Sequence, residues 1–120
     1  MYKLSIVRIF VRDFDAALRF YTETLGIPLA MADAEAGWAQ LETGEAQLAL
    51  EQVAPGDAEG EALIGRFLGV SLLVEDVEGR YAELVSRGVQ FLGAPERQAW
   101  GGVMAHLSDP DGNVLTLLST

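Results

Sequence analysis

A repeat constrains this chain more than any other feature: the pattern of residues 2–53 returns in residues 67–119. In the first copy, YKLSIVRIFV (2–11) is rich in β-branched and aromatic residues and predicts a strand. Asp13 is placed to cap a helix that starts at Phe14. Phe14, Ala17, Leu18, Tyr21 and Leu25 recur at three- and four-residue steps, so they share one apolar helix face, and Gly26 ends it. Three short strands follow at 27–33, 37–42 and 46–53, with Thr43-Gly44-Glu45 as a tight hairpin turn. The second copy runs through a strand at 67–74, Asp76 as cap, and a helix with Val77, Tyr81, Leu84 and Val85 inward. Gly88 ends that helix, and strands are expected at 89–93, 101–108 and 113–119. The last two are joined by Asp109-Pro110-Asp111-Gly112, whose acids at a hairpin tip read as turn-formers rather than metal ligands. The capping positions align, Val11-Arg12-Asp13 with Val74-Glu75-Asp76 and Leu25-Gly26 with Arg87-Gly88.

A β-α-β-β-β unit written twice predicts an α+β fold. The expected organisation is a single domain over 1–120: module 1 at 1–53, an acidic linker at 54–65 and module 2 at 66–120. Each module curls its sheet, so the prediction is a mixed β-sheet cup with helices outside and a cavity within.

Composition narrows the function. With no cysteine, neither a disulfide framework nor a thiolate nucleophile or Cys-based zinc site is available. No apolar run reaches the roughly 20 residues that span a bilayer, and no signal-peptide pattern opens the chain, so a cytoplasmic protein without membrane partners is expected. Eighteen Asp and Glu against eight Lys and Arg give a formal charge of -10. Such a surface repels phosphate backbones and argues against nucleic acid. It suits a cationic ligand, or serves solubility alone.

FYTETLGIPL resembles the FY-x-x-x-LG signature of the vicinal oxygen chelate superfamily, the fold of glyoxalase I and the bleomycin-resistance proteins. WGGVMAHLSDPDGNVLTLLS is similar to its WG…DPDGN-x-x-x-L signature, roughly 80 residues further on. The catalytic families of that superfamily hold one divalent metal through His and Glu on strands one, four, five and eight. The resemblance puts those positions at Ile6, Ala49, Gly69 or Val70, and Thr116. None is a His or a carboxylate, and a one-residue slip to Ser5, Leu50 and Ser71 restores neither. No metal and no cofactor is therefore expected, and metal-dependent glyoxalase, epimerase or dioxygenase chemistry is not.

Taking the lost ligand positions as inward, strand parity brings Leu4 and Arg8 in with Ile6, and Gln47 and Glu51 with Ala49. Met104 and His106 share the face of Thr116, on a strand that supplies active-site side chains in the related fosfomycin-resistance enzymes. Trp100 is expected at the rim and Trp38 near the same mouth. His106, the sole histidine, reads either as a general base or as a partly buried residue satisfying one hydrogen bond. Arg8 and Glu51 read as an internal ion pair or as an anion anchor, and Trp100 as a stacking platform or a hydrophobic plug.

The leading expectation is a metal-independent binder of a small apolar or cationic molecule, of the kind that sequesters an antibiotic such as bleomycin. Its ligand-binding residues are Ile6, Arg8, Trp38, Gln47, Ala49, Glu51, Trp100, Met104, His106 and Thr116. The alternative is a glyoxalase-like lyase or isomerase with His106 as catalytic base, a non-standard or absent metal site, and Arg8 or a backbone N–H at the oxyanion. A third is a regulatory subunit without a ligand. The resemblance also implies a homodimer.

Overall fold

A computed structural model describes residues 1–120. The chain divides into two compact units, Met1–Ile64 and Gly65–Thr120, each with its own sheet. No helix is long and apolar enough to cross a membrane.

The first unit runs β1 (Ile6–Val11), α1 (Phe14–Arg19), a π-helical turn (Phe20–Thr24), β2 (Leu29–Asp33), β3 (Trp38–Leu41), β4 (Gln47–Gln52) and α2 (Ala58–Glu61). Its sheet order is β1-β4-β3-β2, with β1 and β4 parallel and the other pairs antiparallel. The Asp13 carboxylate accepts from the Ala16 N–H at 3.1 Å, as the capping signal requires. Phe14, Ala17, Tyr21 and Leu25 are buried, as are Ile9, Val11, Ala39, Leu41 and Leu50 on the sheet, and α1 lies along β4. One face of the sheet is thereby closed and the other left open. Near its end the helix widens. The Thr22 hydroxyl donates to the Leu18 carbonyl at 2.6 Å, and Leu25 N–H reaches back to Phe20. Gly26, at φ 78°, takes the left-handed conformation that stops it.

Two stretches of this unit fold differently from expectation. The β3–β4 connection is wider than a tight turn, because Leu41 pairs with Leu48. The Thr43 hydroxyl accepts from the Leu48 N–H at 3.1 Å and donates to the Ala46 carbonyl at 3.0 Å, standing in for ladder bonds. The stretch expected as an acidic linker, 54–65, contains α2. Asp57 caps it through the Gly60 N–H at 3.1 Å, and Gly60 is buried against Val53. Arg12 grips Glu61 of α2 with two guanidinium nitrogens, which lowers the Glu61 pKa below the ordinary carboxylate value.

The second unit runs β5 (Phe67–Leu73), α3 (Val77–Ser86), β6 (Gln90–Phe91), β7 (Glu96–Arg97), β8 (Val103–Ser108) and β9 (Val114–Ser119). Its sheet order is β5-β9-β8-β6, and β7 also pairs with β8. Ala105, Leu107, Leu115 and Leu117 are buried on one face of β8 and β9, and Val77 and Leu84 are the buried residues of α3, which contacts both strands. Tyr81 meets Phe91 edge to face at 4.7 Å. Val85, expected inward, is 46% exposed. Asp76 occupies the N-cap position, but its carboxylate makes no capping hydrogen bond. The strand expected at 89–93 shortens to β6. Gly93 and Pro95 interrupt it, and the chain rejoins β8 as β7.

The DPDGN turn is built as its residue types dictate. Asp109 is buried and accepts from the Asp111 and Asn113 N–H groups and from Asn113 Nδ2, each at 2.9 Å. The Asn113 side-chain oxygen Oδ1 accepts from the Gly65 N–H at 2.8 Å. The Asp109 carboxylate is thus spent on donors of its own turn.

Candidate functional site

Each unit leaves open the sheet face opposite its helix, and the ligand-binding residues singled out in the sequence, Trp100 apart, lie on those faces. On the first, register sets three rows across the strands. Ile6 lies beside Gln47; Arg8 beside Ala49 and Gln40; and Phe10 beside Glu51 and Trp38. Arg8 Nη1 donates to Glu51 Oε1 at 3.1 Å, with the two side chains 56% and 33% exposed. A pair so wetted contributes about 0–1 kcal/mol and fixes geometry more than stability. The Arg8 guanidinium also sits 5.3 Å from the centre of the Phe10 ring. Trp38 Nε1 donates to Gln40 Oε1, and Gln40 Nε2 donates to Gln47 Oε1, both at 3.0 Å. Ala49 is fully buried beneath them. Gln40 and Phe10 belong to this face and were not singled out from the sequence, although strand parity with Trp38 and Arg8 points to both.

On the second unit, Ser71, Thr116 and His106 form one row across β5, β9 and β8, and Leu73, Leu118, Met104 and Glu96 form the next. His106 Nδ1 lies 2.8 Å from Thr116 Oγ1. Thr116 is buried and His106 half-buried, and the Phe67 ring meets the imidazole edge to face at 5.5 Å. Met104 and His106 open on a cleft of about 110 Å³ whose wall includes Leu92, Glu96 and Gln98. These last three were missed in the sequence because the β7 pairing that brings them there is too short to read.

Trp100 lies outside that cleft wall, on the hairpin between β7 and β8 that Gln98 and Gly102 close through a 2.7 Å bond. Its indole is 60% exposed and lies over Gly102, where a Cβ would come within 2.1 Å of the ring. The glycine is what lets the indole lie flat there.

The positions that hold a divalent metal in catalytic relatives do not fit one here. Ile6 and Ala49 present hydrocarbon, Gly69 and Val70 offer no side-chain donor, and the Thr116 hydroxyl is engaged by His106. Nowhere do three His, Asp or Glu side chains gather as a metal set.

The profile of the Glyoxalase/Bleomycin resistance protein/Dioxygenase superfamily matches residues 3–117, and the chain belongs to that family, the vicinal oxygen chelate superfamily. It is 37% identical over 114 residues to the bleomycin resistance protein of Klebsiella pneumoniae, covering 89% of this chain and 84% of that one. A superfamily member from Sphaerobacter thermophilus superposes with a TM-score of 0.83 at 30% identity, covering 100% of this chain and 98% of the other. TnmS3, an antibiotic binding protein from Streptomyces sp. CB03234, superposes with a TM-score of 0.79 at 31% identity, covering 99% and 96%.

Proposed function

We propose that this protein binds a small organic molecule without a metal or cofactor, as an antibiotic-sequestering member of its family. The ligand class is apolar or cationic. The contacts assigned are Ile6, Arg8, Trp38, Gln47 and Glu51 on the first unit, with Ala49 buried behind them, and Trp100, Met104 and His106 on the second, with Thr116 buried behind His106. The observation that carries the proposal is the second unit's open face. There the exposed Phe67 ring packs on a half-buried imidazole that is fixed on one side and opens on a cleft. Apolar surface with a few oriented polar groups is the usual make-up of a small-molecule site. The names of two relatives, one for bleomycin resistance and one for antibiotic binding, support the same class. The proposal includes modules 1–53 and 66–120, joined by 54–65, acting as one domain in a cytoplasmic homodimer.

The test is a titration of chelator-treated protein with bleomycin, followed by tryptophan fluorescence. Saturable quenching without added metal is the expected result, and quenching that appears only with metal contradicts it. A second reading, catalysis of a glyoxalase-like step by His106, is favoured by one observation: the imidazole and Glu96 share a cleft. It requires turnover of the methylglyoxal–glutathione hemithioacetal, lost in His106→Ala.

A further inference from the structure

We propose that Thr116 fixes His106 as a hydrogen-bond donor, so that the second unit's cleft takes a neutral carbonyl or amide oxygen; this rests on the binding reading above. Thr116 is 1% exposed on a central strand, and the imidazole is its hydroxyl's only hydrogen-bond partner. A buried hydroxyl with one partner has two choices. If it accepts from Nδ1–H, its own proton is left unpaired in a dry sheet. If it donates to the Nδ1 lone pair, the proton is satisfied and only acceptor capacity goes unused. Donation therefore prevails, and the neutral ring carries its single proton on Nε2. With Nδ1 occupied, Nε2–H is the one polar ring group left to His106, a residue of the cleft wall.

The same assignment removes His106 as a ready base, because its one unoccupied ring nitrogen already holds a proton. It also selects the ligand's oxygen. Glu96 stands in the cleft wall with no cation paired to it, and the whole chain carries a formal charge of -10. A carboxylate or phosphate is repelled there, whereas a carbonyl or amide oxygen accepts from Nε2–H at no such cost. Thr116 acts through the imidazole and is a positioning residue.

His106 is the sole histidine, so ¹⁵N-imidazole labelling yields one ring to observe. In a two-bond ¹H–¹⁵N spectrum at a pH where the ring is neutral, the expected result is a protonated Nε2 and an unprotonated Nδ1. A protonated Nδ1, or a mixture of tautomers, overturns the proposal. Thr116→Val should shift the ring toward a mixture while Thr116→Ser keeps the single tautomer. A mixture in the serine variant counts against the proposal even where the valine variant does not fold. The ligand class is probed with benzamide and benzoate, which share a shape. Benzamide should move the Nε2–H resonance saturably, with benzoate at least about fivefold weaker. Equal or stronger binding of benzoate, or no response to either, overturns the carbonyl assignment. Bleomycin quenching on the same sample shows whether the binding reading falls with it.

Discussion

The two units share one connectivity, yet their open faces are finished differently. On the first, polar side chains answer one another: Arg8 holds Glu51, and Trp38, Gln40 and Gln47 form a chain of hydrogen bonds. On the second, His106 has one nitrogen tied to buried Thr116 and opens on a cleft beside Glu96. A repeated scaffold thus carries one self-satisfied surface and one with an unspent donor and acceptor. Duplication copies the sheet and helix; the chemistry is set by which side chains register brings together.

The largest effect is expected at the turn that supports the second face. Asn113→Ala removes the amide that joins Asp109 to the Gly65 N–H, leaving buried polar groups unpaired. The expected loss is about 2–3 kcal/mol in a denaturant melt, and a loss under about 0.5 kcal/mol would show that the turn does not hold the strands. Glu51→Gln on the first face removes only a wetted ion pair, so a melt should move by less than about 1 kcal/mol. A larger loss would mean that this face is held together by charge.

The smallest effect belongs to Arg12 and Glu61, on the periphery of the first unit. Hydrogen bonding to Arg12 lowers the folded Glu61 pKa, so the unfolded chain binds that proton more readily. The contribution is complete above the ordinary carboxylate value and is lost as pH falls through the lowered one. Comparing wild type with Glu61→Gln across that acid range should show their stabilities converging as pH drops. Curves that stay parallel would contradict the pairing.

Much of this was legible in the sequence because period-two alternation carries both face and register. Ile6, Arg8, Ala49 and Glu51 fall on one face by parity, and His106 and Thr116 face each other across a hairpin whose turn is spelled out by DPDG. What escaped reading depends on partners distant in the chain. Glu96 reaches the cleft only because β7 pairs with β8 after Pro95 breaks the strand. The helix at Ala58–Glu61 is held by Asp57 and Arg12 rather than by any apolar period. Val85 follows the helical repeat yet is exposed, while Val77 and Leu84 of the same helix are buried.

The difference between the faces is tested most directly by calorimetric titration of bleomycin into wild type, His106→Leu and Arg8→Met. The account predicts that His106→Leu weakens binding about tenfold, roughly 1.4 kcal/mol, while Arg8→Met, at a contact whose guanidinium is already engaged by Glu51, stays within about twofold. Equal losses, or a larger loss at Arg8, would contradict it and place the binding energy on the first face.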